Sequence, residues 1–162
     1  MGVIMNKLLL FLFIFVFPAL AMQENKIASN IKITNVYLDK RLNLYAIEAK
    51  NHQTLCGSIT FKYNPQNKHI GHIYNLDVLP DYRKNGIGYQ LFRKAIIELK
   101  KQGYQKITWL GWSLNEEPIP SSTLIKIYES MAQKLAREIK CDLETTPSEY
   151  DPEETFFTLT LT

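Results

Sequence analysis

The chain has 162 residues, 46% of them hydrophobic and 22% charged, which excludes a disordered polypeptide and fits one folded domain. The net charge of +3 is small, and the longest basic clusters, Lys100-Lys101 and Arg83-Lys84, are too short and scattered for a nucleic-acid footprint. Two cysteines, Cys56 and Cys141, and three histidines, His52, His69 and His72, match no zinc spacing, so no metal is expected; the cysteines are either an oxidised pair or two separate thiols.

The chain opens on a segment unlike the rest. Lys7 is the only charged side chain before residue 23, and the apolar run Leu8 to Phe17 follows it. Pro18 ends that run, and Ala19-Leu20-Ala21 supplies small residues at alternate positions. A basic start, a short apolar stretch and an A-x-A site make up a secretory signal. The apolar stretch is about half the length of a bilayer-spanning helix. Residues 1–21 are therefore expected to be cleaved, leaving a domain over 22–162 with no stable membrane insertion.

Next come four alternating, β-branched stretches: Ile31 to Leu38, Leu44 to Ala49, Leu55 to Tyr63, and Ile70 to Leu79. Short polar turns join the first three, Asn64-Pro65 closes the third, and Pro80 stops the fourth. Four such strands predict an antiparallel meander. The period then changes, with Leu91, Phe92, Ala95, Ile96 and Leu99 spaced as the buried face of a helix starting near Gly88. Gly103 stands where a C-terminal cap belongs. Ile107 to Leu110 reads as a short strand, followed by a polar loop to Pro120. A second helix is expected from Ser121 or Ser122 as cap, burying Leu124, Ile127, Met131, Leu135 and Ile139. Phe156 to Leu161 alternates as a last strand, paired with a stretch at Cys141-Asp142-Leu143 across an acidic loop around Pro147 and Pro152. The fold class is α+β, a central, mostly antiparallel mixed sheet with two main helices.

Chemistry concentrates between Val78 and Gly88, where a strand turns into a helix through a glycine-containing loop. Backbone N–H groups at a helix start are unpaired and lie at the positive end of the dipole, so they bind phosphate. Gly86 and Gly88 let the backbone approach an anion, and Arg83 and Lys84 add positive charge. The same glycines also suit a tight strand-to-helix turn without a ligand.

The run Val78-x-Pro80-x-Tyr82-Arg83-x-x-Gly86-Ile87-Gly88 is similar to the acetyl-CoA signature of the GNAT N-acetyltransferases, V-x-P-x-[FY]-R-x-x-G-[IV]-G, at every specified position. The order of strands and helices also resembles that family. A Rossmann fingerprint is excluded, because the third glycine and the preceding βαβ unit are absent. The resemblance implies that the amides of Lys84, Asn85, Gly86, Ile87, Gly88 and Tyr89 hold the CoA pyrophosphate. It implies further that the strand ending at Val78 pairs with the pantetheine arm, and that an amide near Leu76 to Val78 polarises the thioester carbonyl. The strand over 107–110 would splay aside to admit the arm.

Family members protonate the departing thiolate with a helix tyrosine, and Ile127-Tyr128-Glu129 matches the core of that motif, although Leu124 replaces its alanine. Tyr128 is thus either the general acid or a core aromatic. Asn115 is the candidate for a cofactor-contacting asparagine before this helix, with a spacing lengthened by residues 116–120. In the family a carboxylate on the strand before the motif serves as base; here His72 stands there, as a base near neutrality or as a half-exposed strand histidine. Asp77 and Glu48 are its reserves.

The family's two helices between the first two strands have no room here, because only Asp39 to Asn43 separates them. An open acceptor site follows, suited to a protein amine as well as a small one. The implied activity is acetyl transfer from acetyl-CoA to a primary amine by direct attack. The alternative is an exported binding module that keeps the fold without the catalysis.

Overall fold

The computed structural model describes residues 30–39, 41–63, 69–110, 120–148 and 155–161. The elements run β1 (Ile31–Asp39), β2 (Leu44–Asn51), β3 (Thr54–Lys62), β4 (Ile70–Val78), a 3-10 turn (Pro80–Tyr82), α1 (Ile87–Lys101), β5 (Lys106–Leu110), α2 (Ser121–Ile139), β6 (Asp142–Pro147) and β7 (Thr155–Thr160). The strands form one seven-stranded sheet in the order β1-β2-β3-β4-β5-β7-β6. β1 to β4 are the expected antiparallel meander. β5 joins β4 in parallel, which requires a crossover, and α1 supplies it. β7 then pairs with both β5 and β6 antiparallel.

α1 forms because its apolar residues recur on one stripe: Ile87, Leu91, Phe92, Ala95, Ile96 and Leu99 are all buried. It ends in a paired cap at Gly103, whose φ is 88°. The Gly103 N–H donates to the Lys100 carbonyl at 3.0 Å and the Tyr104 N–H to the Leu99 carbonyl at 3.2 Å. Lys100 and Lys101 sit favourably at the negative end of the dipole.

The start of α2 differs from expectation. Pro120 is the capping residue, in place of Ser121 or Ser122. The amides of Thr123 and Leu124 donate to the Pro120 carbonyl, at 2.8 and 3.1 Å. Ile127 is also not a core residue: it is 43% exposed, one helical step off the stripe that buries Tyr128, Ala132, Leu135 and Ala136. Pro147, placed by the sequence in a loop, is the last residue of β6, paired with Thr155. β6 is an edge strand, where a proline costs no ladder hydrogen bond.

Both helices lie on one face of the sheet. Trp109 and Phe157 are register partners and stack at 5.2 Å. Phe92 of α1 meets Trp109 edge-on at 4.9 Å, and Tyr128 of α2 leans on Phe157 at 6.3 Å. These rings join the two helices into a single buried cluster, and each buried aromatic or aliphatic side chain in it contributes roughly 1.5–3 kcal/mol. As expected, no helix separates β1 from β2. There the Asp39 carboxylate accepts from the amides of Arg41 at 2.8 Å and Leu42 at 3.3 Å, and Asn43 takes a positive φ of 51°. Cys56 and Cys141 are separate free thiols.

Candidate active site

The site begins where two strands part. β4 and β5 are paired from Ile70/Lys106 to Ile73/Trp109 and no further. β4 continues to Val78 with only β3 beside it, while Leu110 at the end of β5 pairs with Phe156. The parting is prepared by a bulge: Phe61 opposes Ile73 and Thr60 opposes Asn75, so Tyr74 is an extra residue that twists the end of β4. No sequence signal marked this bulge, since Ile73-Tyr74-Asn75 contains neither glycine nor proline. The Leu79 amide turns towards β3 and donates to the Cys56 carbonyl at 2.9 Å. Alternation along a strand then points the amides of Val78 and Leu76 the other way, into the cleft.

The loop after β4 is built to present donors. Arg83 Nε donates to the Val78 carbonyl at 2.9 Å, tying the loop to the strand end. The Asn85 side-chain amide donates to the carbonyls of Tyr82 (3.3 Å) and Arg83 (3.1 Å), so those acceptors turn inward. Lys84 and Gly86 both take positive φ, 63° and 74°. Gly86 is the residue that caps α1, with no side chain bonding the helix end. The first helix bond runs from the Gln90 N–H to the Gly86 carbonyl at 3.1 Å. Among the described residues nothing accepts a hydrogen bond from the N–H groups of Lys84, Asn85, Gly86, Ile87, Gly88 or Tyr89. This is a ready anion cradle. A Cβ at Gly86 would meet nothing within 4 Å, and one at Gly88 only the Val78 Cγ2 at 3.7 Å, so the cradle is open to a ligand.

A clasp that the sequence did not reveal fixes this end of α1 against α2. Tyr89 donates to Glu138 at 2.7 Å, and Arg93 Nε donates to the same carboxylate at 2.6 Å. Lys134 lies 4.1 Å from the centre of the Tyr89 ring. Burial, then the bond to Glu138, pushes the Tyr89 phenol up to about 12; that bond and the one from Arg93 hold Glu138 below the usual carboxylate range.

Tyr128 is buried at 7% exposure, and its phenol is pushed up to about 12, first by burial and then by the Asp77 carboxylate. That coupling ties the α2 tyrosine to the end of β4. Trp109, the last residue of β5 paired with β4, keeps its indole N–H buried with no partner among the described residues. His72 lies on the opposite face from both helices, as register partner of Thr108, whose neighbours Ile107 and Trp109 point into the core. Its Nδ1 bonds the Thr108 hydroxyl at 2.8 Å. Burial, then the Lys62 charge, lowers its pKa below the usual histidine value. Asp77 shares that face, in one row with Ser58 and Glu48. Glu48 is two strands from β4 and bonded to Lys50 at 2.6 Å, so it is not brought to the cleft. Asn115 lies outside the described residues. No group of histidine, cysteine or acidic residues that could hold a metal occurs among the described residues.

The sequence model of the Acetyltransferase (GNAT) family matches residues 8–118. No curated protein is a significant match to the chain. Among solved structures, a Klebsiella pneumoniae subsp. pneumoniae protein assigned as an acyl-CoA N-acyltransferase superposes with a TM-score of 0.58 at 13% identity, covering 82% of this chain and 98% of its own. A GNAT family acetyltransferase from Elizabethkingia anophelis with acetyl-CoA bound gives 0.53 at 16% identity, over 82% and 97% of the two chains. The diaminobutyrate acetyltransferase EctA of Paenibacillus lautus, in complex with L-2,4-diaminobutyric acid and coenzyme A, gives 0.51 at 16%, over 71% and 69%. These likenesses carry the fold, and the family match spans more than half of the sequence. The chain therefore belongs to the GNAT acetyltransferase family.

Proposed function

We propose that this chain binds acetyl-CoA and transfers the acetyl group to a primary amine by direct attack. The observation that carries the reading is the continuity of two donor sets: the unaccepted amides of Lys84 to Tyr89 and the cleft-facing amides of Leu76 and Val78. The first set suits a pyrophosphate, and the second suits a pantetheine arm and the thioester oxygen. That the Elizabethkingia relative holds acetyl-CoA supports the assignment.

In the reaction a C–N bond forms as the thioester C–S bond breaks. The amide of Leu76 or Val78 stabilises the oxygen that gains charge. Tyr128, a phenol that is neutral at physiological pH and held so further into the alkaline range by burial, donates its proton to the leaving thiolate. His72, largely neutral because its pKa is lowered, takes the ammonium proton through water on the far face. The amine reaches the cleft from that face, which no described helix covers; a lysine side chain or chain terminus fits as well as a small amine. Residues 1–21 direct export, so mass spectrometry of the secreted chain should find Met22 as its first residue.

Calorimetric titration of the folded chain with acetyl-CoA tests the reading. Saturable binding lost on changing Gly86 and Gly88 supports it, and an acceptor screen by thiol release then follows. No binding by the folded chain rejects the enzyme; binding without turnover on any amine leaves a CoA-binding module.

A further inference from the structure

At the other end of α1 a cavity of 460 Å³ opens between the helix and the β1–β3 sheet. Its walls include Tyr45, Phe61, Tyr63 and Tyr104, with Glu98 and Gln102 of α1. The rings form one connected set. Tyr45 and Tyr63 are 4.1 Å apart and tilted, Phe61 meets Tyr63 edge-on at 5.4 Å, and Tyr63 and Tyr104 are near-parallel at 6.1 Å. The backbone holds them there: Tyr45 and Phe61 are register partners, and the Tyr63 amide donates to the Asn43 carbonyl at 3.0 Å. Tyr104 is fixed by the cap that ends α1.

Glu98 gives this cavity its sign. Its carboxylate is half-buried and accepts a long hydrogen bond, 3.4 Å, from the Tyr63 hydroxyl. No ion pair to it exists among the described residues. One turn earlier, Lys94 is committed to the Ile33 carbonyl at 3.1 Å. The burial of Tyr63 and the Glu98 charge together push the phenol well above its usual value, so the cavity presents neutral, electron-rich ring faces and a single negative charge. Such a surface repels anions, including CoA phosphates, and attracts a cation that can shed its water.

We propose that this cavity is a second ligand site, which binds an organic ammonium ion against the tyrosine rings and Glu98. It is separate from the acetyl-transfer cleft: Glu98 lies twelve residues beyond Gly86, roughly 18 Å along α1 at 1.5 Å per residue. A ligand here therefore does not receive the acetyl group. It would bear on the same helix whose first turn carries the anion cradle.

The test is an NMR titration of the folded chain with choline and with n-butylammonium, beside 3,3-dimethylbutanol, the uncharged shape-mimic of choline. The expected result is saturable binding of at least one cation, with shifts centred on Tyr45, Tyr63 and Glu98, and none for the alcohol. The near-isosteric Glu98→Gln, checked for folding by its spectrum, should weaken binding by roughly tenfold or more through loss of the charge. Choline against butylammonium then separates a quaternary from a primary ammonium ligand. Absence of cation binding, equal binding of the alcohol, or affinity unchanged in Glu98→Gln would each overturn the proposal. Because the readout needs no CoA, its failure leaves the acetyltransferase reading standing.

Discussion

Gly86 and Tyr128 stand at opposite ends of the proposed chemistry and are constrained by different physics. At Gly86 the constraint is backbone: its φ of 74° is left-handed, although a Cβ there would touch nothing. Gly86→Ala should thus cost about 1–2 kcal/mol of strain, or relax the loop and scatter the amides of the cradle. The expected outcome is a fold that persists with acetyl-CoA affinity lowered at least tenfold, read by calorimetry. Gly88→Ala, with ordinary contact at 3.7 Å and no backbone strain, separates loop geometry from crowding of the ligand. At Tyr128 the constraint is the hydroxyl, since the ring is packed on Phe157 whether or not it carries one. Tyr128→Phe should keep the fold and acetyl-CoA binding while lowering kcat on the order of 10²-fold, the usual contribution of a general acid. Turnover equal to that of the parent would remove Tyr128 from the mechanism.

Between residue and fold, the element that matters most is β4, which pairs with β5 as far as Ile73 and beyond it with β3 alone. Its position against β3 depends on Gly57, where an added Cβ would stand 2.7 Å from the Asp77 carbonyl and 3.2 Å from Val78 Cα. Both are backbone atoms of the cleft edge, so Gly57→Ala must move β4 itself. A stability loss of about 1–3 kcal/mol is expected, measured by urea unfolding, with turnover falling in addition. Much of this was legible in sequence. The V-x-P and G-I-G pattern marked the strand end and the helix start, because proline and glycine impose local geometry that neighbours cannot override. The bulge at Tyr74 was not legible, because it arises from cross-strand register rather than from its own residues. Nor was the Tyr89–Glu138–Arg93 clasp, whose members are 45 to 49 positions apart. Ile127 was misjudged because two overlapping helical stripes differ by one position, and packing on Phe157 chose the one through Tyr128.

For the molecule as a whole, the two helices share one face of the sheet, and each carries a phenol whose proton the fold retains, Tyr89 bonded to Glu138 and Tyr128 packed on Phe157. Tyr128 and Tyr89 are each raised from 10.0 to about 12. Below pH 10 both are protonated in the folded and unfolded chains, and the contribution is fully present. Between pH 10 and about 12 the unfolded chain releases protons that the folded chain still holds, so stability falls as pH rises through that window. For Tyr128, which is nearly fully buried, the loss is on the order of 2 kcal/mol; Tyr89 is more exposed, and solvent screening reduces its share. On the acid side the sign reverses at His72, whose lowered pKa means that protonation favours the unfolded chain, so stability declines as pH falls below about 6.5. Thermal unfolding from pH 8 to 12 should therefore show the midpoint dropping above pH 10, and dropping less steeply in Tyr128→Phe than in the parent. Parallel curves would mean that the Tyr128 hydroxyl ionises as freely in the folded chain as in water. Its seat against Phe157 would then be wetter than its burial implies, although at neutral pH the hydroxyl would still carry the proton that the mechanism uses.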